Sequence, residues 1–177
     1  MVEVRPAVVK DAMRIGKIHV SSWQATYVGV FPREFLEGLS VSSRQVWWTQ
    51  RLSRPINRAD VLVVEIRDEV VGFASVGPSG ETEGEVYAIY LAPEMFRLGL
   101  GRELMEASET RLATAGFEEA ILWVVEANQR ARSFYEAMGW KPDGALKLEE
   151  IGGVQVRELR YRKRLSVPKP ASSPVSE

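Results

Sequence analysis

Residues 91–102 read Leu91-Ala92-Pro93-Glu94-Met95-Phe96-Arg97-Leu98-Gly99-Leu100-Gly101-Arg102. The run Glu85–Leu91 leading into them predicts a strand. After them Leu100, Leu104, Met105, Ser108, Leu112 and Ala115 recur at helical spacing until Gly116. The stretch is therefore a strand end, a glycine turn and a helix start. Such a junction offers unpaired backbone N–H groups and the positive end of a helix dipole, which suits a phosphate or pyrophosphate. Glycine belongs there because a Cβ would hold phosphate oxygens away from the amides. Taken alone, a Gly-x-Gly is also an ordinary strand stop. A dinucleotide fingerprint fails, since Leu104 stands where its third glycine belongs. A Walker-type loop fails too, as no Gly-Lys-Ser/Thr follows.

Nearer the N-terminus, Val2–Arg5 predicts a short strand. Ala12, Ile15, Ile18, Ser22 and Trp23 predict a helix over Lys10–Tyr27, with Val8 and Val9 where a capping side chain is expected. The segment Tyr27–Pro32 breaks it, and two helices follow over Arg33–Leu39 and Ser42–Leu52. Arg54–Asp60 reads as a loop. Val61–Ile66 and Val70–Val76 form a predicted hairpin about Arg67–Glu69, and Gly77–Gly84 reads as a loop. Ala120–Val125 is a further strand and Gln129–Met138 a helix stopped by Gly139. Leu146–Ile151 and Val154–Leu165 close the order as a hairpin about Gly152-Gly153. Strands and helices mix in one α+β domain over residues 1–165. The Pro- and Ser-rich residues 166–177 predict a disordered tail.

The 177 residues include 23 Lys+Arg against 24 Asp+Glu, one His and no Cys. Without Cys there is no disulfide framework, thiol nucleophile or Cys-ligated metal, and a single His rules out a His-rich metal site, so no metal is expected. A net charge of −1 argues against a general binder of nucleic acid or anionic membrane. No apolar run approaches the ~18–20 residues that span a bilayer. The N-terminus lacks the apolar core of a signal peptide. A cytoplasmic setting is the expectation.

The second informative stretch is Asn128-Gln129-Arg130-Ala131-Arg132-Ser133-Phe134-Tyr135-Glu136-Ala137-Met138-Gly139-Trp140. Asn128 stands between a strand and a helix, the position of an N-cap. Ala131, Phe134 and Met138 share one helical face and read as core, with Tyr135 beside them. Together the two stretches resemble the GNAT superfamily of N-acetyltransferases. The first is similar to that family's pyrophosphate motif, Gln/Arg-x-x-Gly-x-Gly/Ala. The second matches Asn-x-x-Ala-x-x-Phe-Tyr-x-x-x-Gly-aromatic. The resemblance covers about residues 2–165 and is weakest before residue 60. There Ser22, Trp23, Tyr27, Gly29 and Pro32 are similar to a bacterial subgroup of mostly undefined substrate. One departure stands out: the usual Gln/Arg position holds Phe96, with Arg97 one place later.

The resemblance implies a mixed, mainly antiparallel central sheet flanked by helices, with strands Glu85–Leu91 and Ala120–Val125 splayed around acetyl-CoA. It implies that an amide near Ile89 faces the thioester oxygen and that Leu91 pairs with the pantetheine arm. The resemblance further implies that amides from Leu98 through Gly99, Leu100 and Gly101 to Arg102 receive the pyrophosphate, that Arg97 and Arg102 offset its charge, and that Asn128 hydrogen-bonds the pantetheine or a water beside it. An amine attacks only when neutral, so Glu85 becomes the candidate base and Tyr135 the candidate acid for the leaving thiolate. Glu85 also reads as a solvated strand-start charge, or with Glu81 and Glu83 as an acidic lure for a cationic amine. Trp23 and Tyr27, with Trp47 and Trp48, are candidates for an acceptor pocket, although aromatic residues on helices are more often core. His19 reads as a packed ring, and Arg160, Arg162, Lys163 and Arg164 as charges decorating a terminal strand. The acceptor is a small-molecule or peptide amine, left open among peptide N-termini, lysines, polyamines, amino acids and aminoglycosides. A homodimer paired through terminal strands fits the family habit. The alternative function is an acyl-CoA-binding sensor or scaffold without turnover, for which Phe96 is the support.

Overall fold

A computed structural model describes residues 1–54 and 60–166. The order is β1 (Val2–Pro6), α1 (Ala12–Thr26), α2 (Arg33–Glu37), α3 (Val41–Ser53), β2 (Asp60–Ile66), β3 (Glu69–Pro78) and β4 (Glu83–Leu91). There follow α4 (Leu100–Thr114), β5 (Glu119–Val125), α5 (Gln129–Ala137), β6 (Lys141–Ile151) and β7 (Val154–Arg164). The seven strands form one sheet in the order β1-β2-β3-β4-β5-β7-β6. Every neighbouring pair is antiparallel except β4 with β5. This is the mixed, mainly antiparallel α+β sheet that the sequence predicts.

The apolar run Val61-Leu62-Val63-Val64 has no polar alternation because both faces of the sheet are covered. Val61 and Val63 pack with Ile15, Ile18 and Trp48 of α1 and α3. Leu62 and Val64 point the other way, onto Leu100 and Leu104 of α4. Further along, Leu122 and Val124 meet Met105, Tyr135 and Met138 on the α4–α5 side. Val125 meets Tyr27, Phe31 and Leu36 on the other.

Several boundaries differ from expectation. The predicted loop Gly77–Gly84 shrinks to a turn over 79–82, because the Ser79 and Gly80 amides both donate to Glu83 O and draw the strands together. The β6 strand starts at Lys141 rather than Leu146, its pairing broken by an irregularity between Pro142 and Leu146. Asp11, not Val8 or Val9, opens α1. Its carboxylate accepts the Val8 amide at 2.8 Å and is held by Arg5. The β7 strand, last in the chain, lies inside the sheet between β5 and β6. Its charges are therefore not decoration: Arg162 is paired with Glu83, Glu119 and Asp143, and Lys163 Nζ with Glu109 at 2.7 Å. The predicted tail from 167 on, and residues 55–59 of the predicted Arg54–Asp60 loop, lie outside the described residues. No described helix is long and apolar enough to cross a membrane.

Candidate active site

The site begins with a failure of strand pairing. The parallel contact between β4 and β5 spans only Glu83↔Glu119, Gly84↔Ala120 and Glu85↔Ile121. Beyond it β4 stays with β3 as far as Leu91↔Gly72, while β5 stays with β7. The divergence follows an extra residue. Val86 pairs with Val76 and Ala88 with Ser75, which leaves Tyr87 unmatched in the ladder. A bulge of this kind bends its strand and increases the local twist. Past it, backbone groups of β4 that would have met β5 face a gap, and buried backbone groups need partners. The gap is the floor of a cleft of about 690 Å³. Ile89 and Leu91 lie along its β4 wall and Trp123, Val124 and Val125 along its β5 wall.

At one end stands the glycine turn. Arg97 and Gly99 both have positive φ, 67° and 83°, which curls the backbone before the first turn of α4. Gly99 is the N-cap and contributes no side chain, so the first amides of the helix stay uncapped by the chain itself. Arg97, Gly99, Gly101 and Arg102 line the cleft. Leu98 projects to solvent and Leu100 is buried in the core beneath β2 and β3, so these two offer only backbone. The Arg102 amide already donates to Gly99 O at 3.0 Å, leaving its guanidinium, loosely paired with Glu106 at 3.5 Å, as its free contribution.

Asn128 caps α5: its Oδ1 accepts the Ala131 amide at 3.1 Å. The same side chain favours the ionised form of the Tyr27 phenol, against the larger effect of burial. Tyr135, one of the most buried residues of α5, joins Tyr27 and Tyr90 in a group of three phenols on the cleft wall. Burial pushes all three above the ordinary phenol range, and for Tyr27 and Tyr135 the neighbouring phenols add to the effect. Trp23 Nε1 donates to Tyr90 Oη at 3.0 Å. Trp23 and Tyr27 both line the cleft. Trp48 is instead core, donating to His19 Nδ1 at 3.3 Å, and half-exposed Trp47 packs edge-on against it. Burial lowers His19 to about 4, so the only imidazole is a neutral packing ring.

At the other end lies Glu85, half-buried in mid-sheet rather than a solvated edge charge. Burial raises its carboxyl, and a Ser79 hydrogen bond and Lys147 oppose that rise. The expected acidic loop is replaced. Glu83 is neutralised by Arg162, and the carboxylates across the cleft come from β6 and β7. Glu149 and Glu158 each hold Lys147 Nζ at 2.9 Å, and that ammonium lies 4.8 Å from the centre of the Trp123 ring. Tyr90, Arg130, Lys147, Glu149 and Glu158 all line the cleft and were not singled out from sequence. Arg130 lies within the stretch 128–140. The other four depend on sheet register, which leaves no local signal.

The profile of the acetyltransferase (GNAT) family matches residues 22–140. An uncharacterized N-acetyltransferase of Bacillus subtilis, YuaI, is 35% identical over 164 residues, covering 90% of this chain and 91% of that one. A spermidine N(1)-acetyltransferase of Thermoplasma acidophilum is 25% identical over 146 residues, covering 79% and 88%. Among solved structures, the PaiA N-acetyltransferase of Thermoplasma acidophilum in complex with coenzyme A superposes with a TM-score of 0.69 at 21% identity, covering 93% and 99%. YncA of Salmonella typhimurium, solved with its cofactor acetyl-CoA, gives 0.70 at 18% identity and 99% of each chain. By profile, by relatives along nearly its full length and by fold, the chain belongs to the GNAT family of acetyltransferases.

Proposed function

We propose that this protein transfers an acetyl group from acetyl-CoA to a primary amine by direct attack, with residues 1–165 as the working unit. The observation that carries the reading is the β4–β5 splay opening onto an uncapped helix start. A β-strand-like pantetheine arm needs the unpaired edge of β4, and a pyrophosphate needs the amides of Leu98, Gly99, Leu100 and Gly101. The arginines Arg97, Arg102 and Arg130 give that end the matching charge. Asn128 and Leu91 border the arm between them.

Acetyl-CoA supplies the acyl group as a thioester, and the chain's own groups handle charge and protons. A β4 amide near Ile89 donates to the thioester oxygen as negative charge grows there. Tyr135, kept protonated by burial, gives its proton to the departing sulfur as the C–S bond breaks. Glu85 takes the proton released by the amine, through water, once its carboxyl is ionised. Glu85, Glu149 and Glu158 outweigh Lys147 on the acceptor side, which favours a cationic amine, while Trp23, Tyr27 and Trp123 offer aromatic surface for its carbon skeleton. The test is thiol release from acetyl-CoA across amines of graded charge, beside thermal shift with CoA. Stabilisation by CoA with thiol release on one cationic amine supports the reading. Stabilisation without release on any amine refutes turnover.

A further inference from the structure

The phosphate turn of this chain has Phe96 where the resembling motif has Gln or Arg. The ring does not leave that end of the cleft short of charge, because a guanidinium from another element sits on it. Arg130, in the first turn of α5, places its Cζ 3.9 Å from the centre of the Phe96 ring. Its Nη2 donates to Thr26 Oγ1 of α1 at 3.1 Å. Phe96, Arg97, Thr26 and Arg130 line the same part of the cleft. Stacking on a ring holds the guanidinium plane and leaves its edge N–H donors directed outward. One of the five is used by Thr26.

The electrostatics single this arginine out. Arg102, Arg111 and Arg162 each pair with a carboxylate. Among the described residues, neither Arg130 nor Arg97 has such a partner. Instead Arg97 repels Arg130, and burial together with that repulsion pushes the Arg130 pKa down. Two cations held together at the edge of a cleft, one of them partly desolvated, form an arrangement that an anion relieves.

We propose that Arg130, seated on Phe96, binds a phosphate of the ligand directly, replacing from α5 the side chain that the turn lacks at position 96, with Phe96 as its positioning residue. The proposal rests on the reading of the cleft as a CoA site. Its ligand chemistry is a phosphate ester of CoA, either the pyrophosphate or the ribose 3′-phosphate.

Calorimetric titration of CoA, dephospho-CoA and pantetheine tests it. Arg130→Gln is two atoms shorter and loses both the charge and the reach to Thr26, and should weaken CoA about tenfold. Pantetheine, which has no phosphate, should bind the variant and the wild type alike. An equal loss with dephospho-CoA assigns Arg130 to the pyrophosphate, and no loss assigns it to the 3′-phosphate. Phe96→Leu removes the platform and should weaken CoA about threefold. Arg130→Lys should recover part of what Arg130→Gln loses. CoA binding within twofold of wild type in Arg130→Gln, or an equal loss for pantetheine, overturns the proposal while the parent reading stands. A wild type that does not bind CoA refutes the parent reading and this one with it.

Discussion

Gly101 is the position where stability and cofactor binding should part company. It is the second residue of α4, and a Cβ built there lies 3.5 Å from two ring carbons of Phe134 and 3.8 Å from a methyl of Leu91. These are ordinary van der Waals contacts, so alanine enters without displacing a neighbour. A helical Gly→Ala change is worth roughly 0.5–1 kcal/mol through the unfolded chain. For a domain of this size that corresponds to a rise in Tm of roughly 1–4 °C. The new methyl, however, stands on the lining of the cleft. If it keeps a phosphate oxygen off one amide, the loss is roughly 1.5–3 kcal/mol, or about 10–100-fold in CoA affinity. Differential scanning fluorimetry and calorimetry with CoA read the two effects separately. A Gly101→Ala protein that is more stable and binds CoA with unchanged Kd would show that the phosphates sit elsewhere. One that is less stable would show that the space beside Phe134 has been misjudged. Gly99 supplies the opposite sign. Its φ is +83° with no atom within 4 Å of a built Cβ, so Gly99→Ala costs ~1 kcal/mol of strain with no steric cause.

Tyr135→Phe preserves the packed ring and removes the hydroxyl. It should lower the acetyl-transfer rate ~10²–10⁴-fold with little change in CoA affinity, and a single-turnover rate constant within twofold of wild type excludes the acid role. Because burial raises Tyr135 above its ordinary value of 10.0, this group should cause no alkaline loss of rate up to that pH. Glu85 is raised above 4.5 by burial, so its folded form favours the proton. The stability it contributes is present below the unfolded value and lost as pH rises through the folded one. Glu85→Gln should therefore be the more stable protein at pH 7, with the gap closing on acidification in urea melts. It should also lose kcat and partly regain it at high pH, while a change confined to the acceptor KM that shrinks with salt would make Glu85 an attractor and not a base. His19, lowered to about 4, has the opposite linkage, with stability present above 6.5 and lost as pH falls through about 4. The loss is roughly 3 kcal/mol at 1.36 kcal/mol per unit. As the only histidine, it should show one imidazole NMR signal that stays flat between pH 8 and 5, and a midpoint near 6.5 would place the ring in water.

Features that depend on near neighbours along the chain are legible in its amino-acid order. The element order follows from periodicity. The helix starts at Leu100 and Gln129 follow from Gly99 and Asn128, whose caps act within three residues. Residues 91–102 and 128–140 therefore announce the family before any coordinate is known. The tertiary structure alone decided how the site is closed. The unmatched Tyr87 that parts β4 from β5 is a register event between two strands, and no local pattern encodes it. Placing β7 between β5 and β6 brings Lys147, Glu149 and Glu158 to the cleft and turns the charges of Arg162 and Lys163 into ion pairs. The stacking of Arg130 on Phe96 joins two elements that meet only when α4 and α5 pack on the same face. Periodicity reports which side of an element is apolar, but the partner across a gap is chosen by sheet order and register, and those are properties of the assembled chain.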